Sequence, residues 1–99
     1  MAAVARETGL TSVVIVAADS GPLLMSSCAA ALASSAPVEV ILVDNASVDG
    51  LPERVAAAHA RDARVRVLRN DQNLGFGPAC TRGAAMARGD VLVFLNPDC

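Results

Sequence analysis

With 99 residues and a formal charge of −2, the chain has room for one small domain or a portion of a larger one. Apolar residues make up 54% and aromatic residues 2%, which excludes disorder and suits short helices lying close against a sheet. Every cationic side chain is arginine, and the densest group, Arg61 to Arg69, is broken by Asp62, Ala63, Val65, Val67 and Leu68, so there is no basic stripe for nucleic acid.

No run reaches the ~18 apolar residues that a membrane span needs. Residues 1–10 carry Arg6 and Glu7 without a signal-peptide core and read as an N-terminal extension to a single unit, 11–99. Cys28, Cys80 and Cys99 show neither CxxC spacing nor a histidine cluster, so they fit small thiols in a reducing, cytoplasmic setting.

In chain order, Ser12–Val16 is a β-branched, continuously apolar run, the mark of a strand covered on both faces. Ser20, Gly21 and Pro22 then supply an N-cap, a turn and a first-turn proline for a helix on which Leu24, Cys28, Ala31 and Leu32 recur at helical spacing. The pattern stops at Ser34–Pro37, and Val38–Val43 is a second strand. Asp44–Gly50 is a polar loop, and Asp49 is placed to cap a helix whose inner face is Leu51, Val55 and Ala58. Val65–Arg69 alternates more weakly and predicts an edge strand.

After the loop Asn70–Gly77, Pro78 opens a third helix with Ala79, Gly83 and Met86 inward, and Gly89 is suited to its left-handed C-cap. Phe76 reads as core beneath the loop, and His59 as a surface residue of the second helix. Val91–Leu95 is a fourth apolar strand, and Asn96-Pro97-Asp98-Cys99 follows it. This β-α-β-α-β-α-β alternation predicts an α/β, Rossmann-like parallel sheet with helices on both faces.

The unusual residues all lie just after strands, the edge where open α/β sheets bind ligands at a reversal of strand order. An order of 3-2-1-4 places that reversal between the first and fourth strands, with Asp44 and Asp98 flanking it. A carboxylate beside a diphosphate implies a bridging cation, because Mg²⁺ is commonly held by one or two carboxylates and substrate phosphates. On this basis Asp98 is either a metal ligand or a turn cap. Asp44 is either an acceptor for a base N–H or the head of an Asx turn. Gly75-Phe76-Gly77 is a weak match to the dinucleotide GxGxxG pattern, because Cys80 stands where the third glycine belongs.

Taken together, Ser12-Val-Val-Ile-Val16, Val43-Asp44-Asn45-Ala46-Ser47-Val48-Asp49-Gly50, Asn73-Leu74-Gly75-Phe76-Gly77 and Phe94-Leu95-Asn96-Pro97-Asp98 resemble the family 2 glycosyltransferases of GT-A fold, most of all the bacterial rhamnosyltransferase-like branch. The resemblance runs from about Thr11 to Cys99 and corresponds to the N-terminal, donor-binding half of such an enzyme. It implies transfer, with inversion, of a sugar from a UDP-, dTDP- or GDP-linked donor to an acceptor glycan or lipid-linked saccharide in polysaccharide biosynthesis.

The same resemblance implies a divalent metal, Mn²⁺ or Mg²⁺, with Asp98 as its ligand. It implies a nucleotide-sugar site of Ala17, Ala18, Asp19, Asp44, Asn45, Ser47, Asn73, Gly75 and Asn96, in which Asp44 contacts the base. Ala17-Ala18-Asp19 stands where the family often has Thr-Tyr-Asn, and Asn96 where many members have an aspartate. The general base would lie beyond residue 99, so the segment alone is expected to be inactive. The apolar fourth strand is expected to lie open at the sheet edge and to support a homo-oligomer. The competing readings are a nucleotide-binding module without catalysis and a generic doubly wound domain.

Overall fold

The computed structural model describes residues 7–97, which form a four-stranded, fully parallel sheet in the order β3-β2-β1-β4. The elements follow in the sequence β1 Glu7–Ala17, α1 Leu23–Leu32, β2 Val38–Asn45, α2 Leu51–Ala58, β3 Val65–Asn70, α3 Phe76–Met86 and β4 Gly89–Leu95. The expected α/β architecture and the edge position of β3 are both present.

β1 and β2 run through the middle of the sheet, and their β-branched side chains alternate between two cores. On one face Val13, Ile15, Val40 and Leu42 pack with Leu24 and Cys28 of α1 and Val55 of α2. On the other, Val14, Val16, Ile41 and Val43 pack with Ala79 of α3 and with Ala87. Burial raises the Cys28 thiol above its ordinary pKa, and the nearby Asp62 charge adds to the effect. A methyl group built on Gly83 would lie 2.5 Å from Val14 Cγ1 and 3.0 Å from Val43 Cγ2. The absent side chain therefore lets α3 sit close to the sheet.

Three local expectations are corrected. β1 starts at Glu7, because the Glu7 N–H donates to the Arg88 carbonyl at 2.7 Å and the Gly9 N–H to Asp90 Oδ2 at 3.3 Å, so residues 7–10 run with the sheet. Ser20 does not cap α1, whose N-cap is Pro22; the Ser20 hydroxyl instead accepts the Ala18 N–H at 3.3 Å. Gly89 is not a left-handed cap but the first residue of β4, α3 being closed by Ala87 in an extended conformation. A Cβ on Gly89 would meet the Leu10 carbonyl oxygen at 2.4 Å and the Ser12 nitrogen at 2.9 Å, so close approach to β1 is what requires glycine there.

A buried polar cluster ties the N-terminal ends of all four strands together. Glu39 on β2 accepts the Ser12 hydroxyl at 2.6 Å, the Arg88 N–H at 2.6 Å and Arg66 Nη2 at 2.8 Å. The Ser12 hydroxyl in turn accepts the Gly89 N–H at 2.8 Å. Burial opposes the Glu39 charge, but the hydrogen bonds from Ser12, Arg88 and Arg66 outweigh it and hold the carboxyl below its ordinary pKa.

β4 is open on both faces as well as along one edge. Val91, Leu92, Val93 and Phe94 are 52%, 36%, 42% and 45% exposed, as anticipated for an apolar strand with no neighbour beyond it among the described residues.

Candidate functional site

The strand order reverses between β1 and β4: α1 and α2 carry the chain outward to β2 and β3, and α3 returns it to the far side of β1. The C-terminal ends of β2, β1 and β4 therefore share one edge. Ala17 is in register with Asp44, and Ile15 with Leu95. Neighbouring strands lie about 4.8 Å apart, so the ends of β2 and β4 are about 10 Å apart across β1.

The loops at this edge are bound to one another. Asp19, in the loop just past β1 and with φ of +55°, donates its N–H to the Ser47 hydroxyl at 3.1 Å. Its Oδ1 accepts the N–H groups of Val48 and Asp49 at 2.8 and 3.0 Å. Asp49 accepts the Gly21 N–H at 3.3 Å and the Leu51 N–H at 3.1 Å, so it serves the start of α2 although Gly50 occupies the N-cap position. Ala46 has φ of +63°, a conformation that costs a non-glycine residue about 1 kcal/mol and that these surrounding bonds maintain.

The adjacent pair Asp44 and Asn45 ends β2 and is buried. Successive side chains on a strand face opposite ways, so the two do different work. Asn45 Oδ1 accepts the Asn70 Nδ2 group at 2.9 Å and the Leu74 N–H at 3.1 Å, while its Nδ2 donates to the Gly75 carbonyl at 3.1 Å. Asn73 Oδ1 accepts the Gly75 N–H at 2.8 Å, and Gly75, at φ of +83°, leads into α3. Asn70 is also bound by Arg82.

Asp44 Oδ1 accepts the Ser47 N–H at 2.9 Å, forming the Asx-type turn that its loop position allowed. Its Oδ2 lies 3.8 Å from Arg69 Nη1, outside hydrogen-bonding reach, whereas that nitrogen is 2.6 Å from Glu53 Oε1. Glu53 stands in the first turn of α2.

Among the anticipated nucleotide-sugar residues, Ala17, Ala18, Asp19, Asp44, Asn45 and Ser47 gather at the ends of β1 and β2. Asn73 and Gly75 join them through Asn45, and Asn96 lies exposed just past β4 on the same edge. The expected metal ligand, Asp98, lies outside the described residues. Among the described residues no group of three or more His, Cys, Asp or Glu side chains is arranged to hold a metal ion.

Phe76, expected in the core, is 48% exposed at the start of α3, because Asn45 and Asn73 hold the preceding turn at the surface. Arg69 and Glu53 were missed. The parallel register pairs Arg69 with Asp44, a proximity that spacing along the chain does not reveal.

The family model described as glycosyl transferase family 2 matches residues 12–99. The succinoglycan biosynthesis protein ExoO of Rhizobium meliloti is 37% identical over 86 residues, which are 86% of this chain and 24% of that protein. The N-acetylglucosaminyl-diphospho-decaprenol L-rhamnosyltransferase of Mycobacterium tuberculosis is 42% identical over 79 residues, covering 79% of this chain and 25% of the relative. This chain therefore spans about a quarter of the length of these relatives.

Among solved structures, the mannosyltransferase PcManGT from Pyrobaculum calidifontis, in complex with GDP-Man and Mn²⁺, superimposes with a TM-score of 0.77 at 21% identity over 89% of this chain and 27% of its own. TarS residues 1–349 of S. aureus, in complex with UDP, gives a TM-score of 0.76 at 22% identity over the same shares. These likenesses establish a shared fold.

Proposed function

The chain belongs to glycosyl transferase family 2, and from that premise we propose that it forms the donor-binding part of a glycosyltransferase. In the complete protein a sugar passes from a nucleotide diphosphate to an acceptor hydroxyl, with inversion at the anomeric carbon. One observation carries this reading: at the strand-order reversal, a buried aspartate and the Asn96-Pro97 segment lie on either side of the end of β1.

Asp44 accepts a base N–H, such as the imide of uracil or thymine or the lactam N–H of guanine; a charged acceptor contributes about 1.5–3 kcal/mol. The anchored loops at 17–19, 45–47 and 73–75 hold the ribose and diphosphate groups, with Asn96 beside them. The donor chemistry fits a hard divalent ion, since one carboxylate plus phosphate oxygens is a common Mg²⁺ or Mn²⁺ arrangement, and Asp98 is the residue to hold it. When bound, such an ion would offset the charge that develops on the departing diphosphate.

Because this chain spans about a quarter of its relatives' length, donor binding is assigned to this segment and turnover to the longer protein. A relative whose name specifies a diphospho-decaprenol acceptor supports a lipid-linked saccharide as acceptor and a place at the cytoplasmic side of a membrane. No helix among the described residues is long and apolar enough to cross one. The open β4 strand supports self-association of the isolated segment.

Calorimetry of the 99-residue chain with UDP, dTDP and GDP, each with and without Mn²⁺, tests the reading. Metal-dependent binding that disappears in Asp98→Ala is expected. A folded chain that binds none of the three nucleotides would leave only an α/β scaffold.

A further inference from the structure

Three charged side chains from three different elements meet beside the site: Asp44 ends β2, Arg69 sits near the end of β3 and Glu53 is in the first turn of α2. The Asp44 side chain is 4% exposed and its strand register places Arg69 alongside it. A desolvated carboxylate attracts a cation more strongly than an exposed one, and arginine prefers two-pronged contact with carboxylates. The guanidinium nevertheless lies 2.6 Å from Glu53, whose side chain is 44% exposed, and 3.8 Å from Asp44. Glu53 is itself favoured by the positive end of α2. Asp44 Oδ1 already accepts the Ser47 N–H, and Oδ2 is the oxygen that faces Arg69.

We infer that Glu53 is a positioning residue acting through Arg69: it draws the guanidinium aside and keeps Asp44 Oδ2 available to the donor's base. Arg69 at this distance still offsets the Asp44 charge without donating a hydrogen bond to it. Without Glu53, Arg69 swings onto Asp44 and competes with the nucleotide. The inference rests on the reading of Asp44 as the base contact.

Affinities for UDP, dTDP and GDP, each with Mn²⁺, are to be compared in the 99-residue chain and in Glu53→Ala, Arg69→Ala, the double variant, Glu53→Gln and Asp44→Asn. Breaking a partly exposed ion pair before binding predicts about fivefold weaker binding in Glu53→Ala, or about 1 kcal/mol. The same substitution in the Arg69→Ala background changes affinity by less than about twofold, since nothing remains to swing. Glu53→Gln, which keeps an acceptor for Arg69, recovers part of the loss.

A crystal structure of Glu53→Ala should show Arg69 within hydrogen-bonding distance of Asp44. Unchanged or tighter binding in Glu53→Ala, or an equal loss with and without Arg69, overturns the positioning role. If Asp44→Asn binds all three nucleotides as the parent does, or if the parent binds none, the base-contact reading itself fails and this inference with it. Weakening in Asp44→Asn alone removes only the role of Glu53.

Discussion

Replacing Glu39 by glutamine tests how the sheet is tied together at the end opposite the loops that follow β1, β2 and β4. Glu39 Oε2 takes the Ser12 hydroxyl and the Arg88 N–H, and Oε1 takes Arg66. Glutamine has one acceptor oxygen, so in either orientation its NH₂ group faces donors: Arg66, or the Arg88 N–H and Ser12. At least one charge-assisted hydrogen bond, worth about 1.5–3 kcal/mol, is lost, and a buried donor is left facing another donor. Arg66 also loses its anionic partner, although its side chain is 26% exposed and water moderates that loss. The expected destabilisation is about 3 kcal/mol, or about 12–24 °C in Tm for a domain of this size.

Urea unfolding followed by circular dichroism gives the value at pH 7. Because the folded-state pKa of Glu39 is lowered, its contribution is complete above the unfolded value of about 4.3 and is lost as pH falls through the folded value. The gap between parent and variant should therefore narrow on acidification below about pH 4.3. A gap under about 0.5 kcal/mol at pH 7, or one that stays flat or widens in acid, would refute the reasoning.

Gly89→Ala should destabilise by more than the ~1–3 kcal/mol typical of overpacking, because the new methyl group meets the backbone of Leu10 and Ser12; urea midpoints check this. Asn45→Ala removes three hydrogen bonds that join the loops after β2 and β3 and should cost about 2–3 kcal/mol, with faster amide exchange at Leu74 as a local sign. Val93→Lys on the open strand should reduce concentration-dependent association in sedimentation measurements, since a charge blunts an exposed apolar edge.

Much of the fold was legible because the strands are largely apolar runs, whether buried like β2 or open like β4, and the helices repeat small apolar residues at helical spacing. Val38–Val43 and Val91–Leu95 needed no tertiary knowledge. Strand ends were less visible, because pairing partners decide them. Glu7, Asn45 and Asn70 are polar, yet they belong to strands through contacts with Arg88, Gly75 and Arg82.

Gly89 follows a helix and so resembles a cap, but the residue it must approach lies 77 positions earlier, at Ser12. At the site, Asp44 stood out as a carboxylate just after a strand, and its turn bond to Ser47 is local enough to anticipate. Its neighbour Arg69 is set by sheet register and the bond from Arg69 to Glu53 by helix placement, neither of which is written in local spacing. Phe76 misled because aromatic character indicates burial only on average.

The central claim, that a metal-bound nucleotide sits where the strand order reverses, is tested most directly by paramagnetic broadening of the ¹H–¹⁵N spectrum with Mn²⁺ and UDP, dTDP or GDP. Broadening should be strongest around Asn96 and extend to Ala18 and Asp44. The opposite sheet end, at Glu39, Arg66 and Gly89, should stay sharp. Nucleotide-dependent broadening centred on that opposite end, or none with any of the three nucleotides, would contradict the account.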